Sequence, residues 1–81
     1  MKKNPNALIA FGTHLRALRK RRGWSQQELA DTAHLPQKTV QRVELARFIV
    51  GLDVIVSLAR ALEVSVKELV DVPGLEQMDR D

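Results

Sequence analysis

Gln37, Lys38, Gln41 and Arg42 stand at positions i, i+1, i+4 and i+5 of a stretch with helical periodicity, the spacing that puts long polar side chains on one outer helix face. A face of this kind can read the edges of base pairs. An amide side chain bonds bidentately to adenine and a guanidinium or ammonium to guanine, each good pair discriminating by about 1–3 kcal/mol in a major groove roughly 12 Å wide.

Such a face is useful only if the helix that carries it is short, presented outward and anchored from behind. The stretch from Trp24 to Glu44 meets these conditions. Ser25-Gln26-Gln27-Glu28 matches a capping box, in which hydroxyl and carboxylate each satisfy a backbone amide at a helix start. Leu29, Ala30 and Ala33 then recur at helical spacing and face inward. His34-Leu35-Pro36 forms a tight turn, and Pro36 suits the start of a third helix that buries Val40 and Val43. Two helices of about eight residues each, joined by a turn too short for an antiparallel pair, define a helix-turn-helix.

The remaining segments supply the support. The first helix begins at Asn4-Pro5 and ends at Gly23, with Leu8, Phe11, Leu15 and Leu18 on its inner face. A fourth helix runs from Leu52 to Leu62 with Leu52, Ile55, Leu58, Ala59 and Leu62 on one stripe. A fifth opens at a second capping box, Ser65-Val66-Lys67-Glu68, and stops before Pro73-Gly74. The expected fold is therefore all-α: a compact five-helix bundle in one domain over residues 1–74, followed by a charged tail over 75–81. Neither repeat nor heptad pattern is present.

Composition narrows the function. The net charge of +3 hides an asymmetry: residues 1–47 carry ten Lys or Arg against three acids, and residues 48–81 carry three against seven. A polyanion-facing half and a second half that faces elsewhere follow from that split. The chain has no cysteine, which suits a reducing cytosol, and no apolar run long enough for a membrane span, so a cytoplasmic location is expected. Gly-rich phosphate loops, paired carboxylates and nucleophile-base arrangements are absent, so neither an enzyme nor a cofactor is expected. His14 and His34 are too isolated to bind a metal. Arg19-Lys20-Arg21-Arg22 ends the first helix, where cations favour the helix dipole and can also meet flanking phosphates. Phe48, Ile49, Val50 and Val54 form an apolar cluster that marks either a homodimer interface, with Val66 or Val70 joining it, or the completion of the monomer core.

Three stretches together resemble a known family: Leu15-Arg16-Ala17-Leu18-Arg19, then Gly23-Trp24-Ser25-Gln26-Gln27-Glu28-Leu29-Ala30 and Thr39-Val40-Gln41-Arg42-Val43-Glu44. With Leu58-Ala59-Arg60-Ala61-Leu62-Glu63-Val64-Ser65 they are similar to the Cro and phage-repressor, or Xre-type, helix-turn-helix proteins over about residues 8–70. The resemblance implies a five-helix bundle whose third helix enters the major groove of double-stranded DNA, as a homodimer on a two-fold symmetric operator. Carried over by position, Gln37, Lys38, Gln41 and Arg42 face bases. Gln26 contacts phosphate or braces the first recognition residue, and Thr39 meets a phosphate or a thymine methyl group. Arg19 and Glu44 form a structural ion pair, and Trp24 packs at the junction of the first two helices. The sequence departs from the family after Glu44: Leu45-Ala46-Arg47-Phe48-Ile49-Val50-Gly51 lacks the usual Gly, leaves Arg47 as the one basic residue of the loop, and predicts a recognition helix that runs on for another turn. His34 replaces another customary Gly, which predicts a left-handed His. The functions implied are a transcriptional repressor, a controller of a restriction-modification locus, an antitoxin paired with a toxin, or, in another class, an adaptor that binds proteins through the same fold.

Overall fold

In the computed structural model, which describes residues 4–75, three of the five helices start where a side-chain cap satisfies a free amide. Asn4 Oδ1 accepts the Ala7 amide at 3.1 Å and opens α1 (Pro5–Arg21). Both expected capping boxes form: Ser25 with Glu28 opens α2 (Gln26–Ala33), and Ser65 with Glu68 opens α5 (Val66–Val70). Between them lie α3 (Gln37–Glu44), which follows Pro36, and α4 (Leu52–Leu62), which follows Gly51. No strand occurs among the described residues, and none of their helices is long and apolar enough to cross a membrane.

Four of the helices end in one way. A residue in the left-handed region follows the last turn, and the amide after it bonds back to a carbonyl of that turn. The left-handed residues are Gly23 (φ 73°), His34 (58°), Ala46 (57°) and Glu63 (57°). The closing bonds run from Trp24 to Arg19 (3.3 Å), Leu35 to Ala30 (2.9 Å), Arg47 to Arg42 (2.9 Å) and Val64 to Ala59 (3.1 Å). The third closure corrects the expectation of a longer recognition helix. α3 stops at Glu44 because Ala46 turns left-handed, and Phe48 and Val50 can then fold back onto the core.

The core joins all five helices: Leu15, Leu29, Val40, Val43, Leu58, Leu62 and Leu69 are fully buried. Leu8, Leu18 and Ile55, expected inside, are half-buried. Leu52 is a second correction, since it is 71% exposed. It stands in the first turn of α4, beyond the edge of the layer made by Leu58, Ala59 and Leu62, and the described residues leave it largely uncovered. Leu75, where the sequence places the start of the charged tail, is half-buried against the core, and residues 76–81 of that tail lie outside the described residues. α1 crosses α3 at Gly12, where a Cβ would stand 2.5 Å from the Val43 carbonyl oxygen and 2.9 Å from that of Glu44. Only glycine allows that approach.

Ala46 carries a left-handed backbone without glycine's freedom or a polar side chain to offset it. That conformation costs an L-residue about 1–2 kcal/mol, against about 0.4–1 kcal/mol for the extra unfolded-state entropy of glycine. Ala46→Gly is therefore expected to stabilise the fold by roughly 0.5–1 kcal/mol, read as a higher urea midpoint at unchanged slope.

Candidate nucleic-acid interface

α3 divides cleanly between an anchored face and a presented one. Val40 and Val43 are buried, Thr39 is half-buried, and Gln37, Lys38, Gln41 and Arg42 are exposed. None of these four side chains is engaged in a hydrogen bond or ion pair among the described residues. Leu45, half exposed at the end of the helix, continues the outer face. Arg47 is also exposed and bears no ion pair among the described residues. Long donors free of intramolecular partners are what base and phosphate recognition require.

Behind this face lies the one buried charge pair among the described residues. Arg19 Nε donates to Glu44 Oε2 at 2.7 Å and Arg19 NH2 to Glu44 Oε1 at 3.0 Å, a two-pronged contact between α1 and the last residue of α3. The third guanidinium nitrogen donates to the Trp24 carbonyl at 2.7 Å, and Gln26 Nε2 donates to Glu44 Oε1 at 3.1 Å. The side chains are 9% and 3% exposed. The hydrogen bond to Glu44 raises the Arg19 pKa above its ordinary value, burial opposes that shift, and the Glu44 charge adds to it. Among the described residues no buried side-chain nitrogen or oxygen lacks a partner. The ion pair implied by the family resemblance is thus present. Gln26 reaches the carboxylate rather than Gln37, to which no hydrogen bond runs among the described residues.

The basic run of α1 separates into two kinds of cation. Arg19 points inward, and Arg22 ties α1 to the end of α4, donating to the Leu62 carbonyl at 2.7 Å and to Glu63 at 3.0 Å while its guanidinium lies 5.3 Å from the Trp24 ring centre. Lys20 and Arg21 are exposed. Sequence reasoning did not find the Arg22 tie or the hydrogen bond from Arg60 to the Ala33 carbonyl (3.1 Å). Both receive their meaning from helix ends distant in sequence. Of the apolar cluster, Phe48, Val50 and Val54 are half-buried against the core. Ile49 is 45% exposed, and Leu52 and Val56, one turn apart on α4, are 71% and 50% exposed.

This architecture is matched by known proteins. The helix-turn-helix family model matches residues 15–69 of the 81, and the chain belongs to that family, in its Xre/Cro type. Among solved structures it is similar to the restriction-modification controller protein C.AhdI from Aeromonas hydrophila, at 40% identity and a TM-score of 0.74 over 76% of this chain and 94% of that one. It is also similar to the hypothetical transcription factor NHTF from Neisseria (28% identity, TM-score 0.79, 95% of this chain and 88% of that one). A third neighbour is the clp gene regulator ClgR from C. glutamicum (26%, 0.72, 79% and 83%). No curated protein matches in sequence. Family and neighbours together support a DNA-binding transcriptional regulator.

Removing one member of a buried pair leaves the other charge uncompensated, at a cost of about 3–5 kcal/mol. Glu44→Ala is expected to destabilise the fold by that amount, roughly 3–5 kcal/mol. The double variant Arg19→Met, Glu44→Leu recovers most of the loss, because no orphaned charge remains. Urea unfolding of the two variants checks both expectations.

Proposed function

We propose that this protein is a non-catalytic, sequence-specific transcriptional repressor that binds a palindromic operator as a homodimer. The observation that carries the proposal is the outer face of α3, where four long donors stand without a partner among the described residues on a helix pinned by a buried ion pair. Gln37, Lys38, Gln41 and Arg42 read base edges in the major groove. Thr39 and Arg47 contact phosphates and set the register, as backbone contacts generally do. Arg19 and Glu44 act only through the helix they hold.

The apolar surface after α3 and on α4 supports dimerisation. Ile49, Leu52 and Val56 are exposed over the half-buried Phe48, Val50 and Val54, and an exposed apolar patch marks a partner surface. A second copy meeting it about a two-fold axis covers both patches at once and sets the two recognition helices in successive major grooves about 34 Å apart. A second reading, that the chain controls a restriction-modification locus, is favoured by its 40% identity to C.AhdI. It requires the same DNA-binding chemistry.

Selection of bound sequences from a random duplex library tests the proposal. The expected result is a palindromic consensus bound on the order of 10³-fold or more above scrambled DNA. No consensus, or binding that merely collapses with salt, would remove sequence-specific reading and favour the adaptor class. Within the selected site, Arg42→Ala is expected to cost about 1–3 kcal/mol and to relax preference at one base position. Equal losses on scrambled DNA would make Arg42 a phosphate contact instead. For the dimer, sedimentation of Leu52→Asp, Val56→Asp should show a folded monomer, and a dimer of unchanged affinity would contradict the assigned surface.

A further inference from the structure

Within α4 the exposed residues are Leu52, Asp53, Val56 and Arg60. At 3.6 residues per turn they fall in one stripe about 100° wide. Val56 lies in the middle of the stripe and Leu52 at one edge. Asp53 and Arg60 share the other edge, within about 20° of each other and on either side of Val56 along the helix. Asp53 carries neither hydrogen bond nor ion pair among the described residues. Arg60 donates from one guanidinium nitrogen to the Ala33 carbonyl at 3.1 Å, which steadies the side chain. Its other N–H groups have no partner among the described residues.

An acid and a base mirrored about an apolar residue make a surface that fits its own copy turned end for end. In a two-fold contact, residue i meets j and j meets i. When two α4 helices pack antiparallel, the rotation that relates them keeps their charged edges on the same side. Asp53 of each copy then stands beside Arg60 of the other, and the two Val56 side chains meet next to the axis. In a parallel pair the charged edges fall on opposite sides and neither charge meets its complement.

We propose that a second copy of this chain docks α4 against α4 in antiparallel register, with two Asp53–Arg60 ion pairs closing one edge of the contact. This rests on the homodimer proposed above and names its geometry. Leu52 and Val56 supply an apolar attraction that has no direction of its own. The charges select the orientation and the register, as complementary charges do at interfaces.

Sedimentation over a concentration series reads the dimer. Asp53→Lys and Arg60→Glu each put like charges at both crossings, and each is expected to weaken the homodimer by about tenfold or more. In an equal mixture the introduced lysine meets the introduced glutamate and the native Arg60 meets the native Asp53. The mixture is therefore expected to form a heterodimer about as tight as the wild-type dimer. A mixture no tighter than the separate variants would overturn the register. The second test leaves all these charges in place and so decides even where Arg60→Glu does not fold. The chain has no cysteine, and a disulfide needs Cα atoms within about 7 Å. The antiparallel register puts the two Val56 positions within that reach, while the two Leu52 positions stand about 13 Å apart along the helices. Leu52 is the more exposed, at 71% against 50% for Val56, so chance collision favours position 52. In a glutathione buffer Val56→Cys is expected to form the disulfide dimer and Leu52→Cys to remain largely unlinked. Linking at position 52 as readily as at 56 would overturn the register and leave the dimer standing. A wild-type protein that sediments as a monomer at every concentration would remove both.

Discussion

The Arg19–Glu44 pair is the contact on which the rest of the structure depends. A charge pair this deeply buried loses hydration that its own attraction only partly returns, so it is tolerable only when every donor and acceptor is satisfied. Here the guanidinium meets both carboxylate oxygens and the Trp24 carbonyl, and Gln26 adds a further donor to the carboxylate. The backbone has to bring these groups together. Gly12 lets α1 touch the carbonyls of Val43 and Glu44, and the left-handed Gly23 swings Trp24 back over the end of α1. The network therefore ties α1, the start of α2 and the end of α3 into one rigid corner, and the outer face of α3 inherits its orientation from that corner.

The distribution of cations follows the same logic. Arg19 is buried on a carboxylate, and Arg22, together with Arg60 from the second half, is engaged at the surface with carbonyls at helix ends. Those carbonyls carry the negative end of the helix dipole and have no partner within their own helix. Lys38, Arg42 and Arg47 are left outward, on or beside the recognition helix. A count of basic residues alone suggests a uniformly polyanion-binding first half. The structure instead divides that half into cations that build the scaffold and cations that remain available to a ligand.

Much of this was legible in the sequence because the signals were local. Two capping boxes, Pro5 and Pro36, and the periodic apolar residues place all five helices. The spacing of Gln37, Lys38, Gln41 and Arg42 puts them on one exposed face, as found. Departures arose where a long-range requirement decided the outcome. Ala46 lacks the freedom of glycine, so the sequence reads as helix beyond Glu44, yet packing of Phe48 and Val50 imposes the left-handed turn. Leu52 fits the apolar stripe of α4 by period but lies nearly two turns before the layer of Leu58, Ala59 and Leu62. The tie from Gln26 to Glu44 joins residues 18 positions apart, and no pattern within either helix announces it.

The central claim is that the outer face of α3, held from behind by Glu44, is the surface that meets DNA. Titration of the isotopically labelled protein with its selected duplex, followed by backbone and side-chain amide resonances, tests it most directly. The account predicts that the largest shifts fall on Gln37 to Arg42, including the side-chain amides of Gln37 and Gln41, while α5 is little affected. Shifts centred on α4 and α5, with α3 unchanged at saturation, would contradict it.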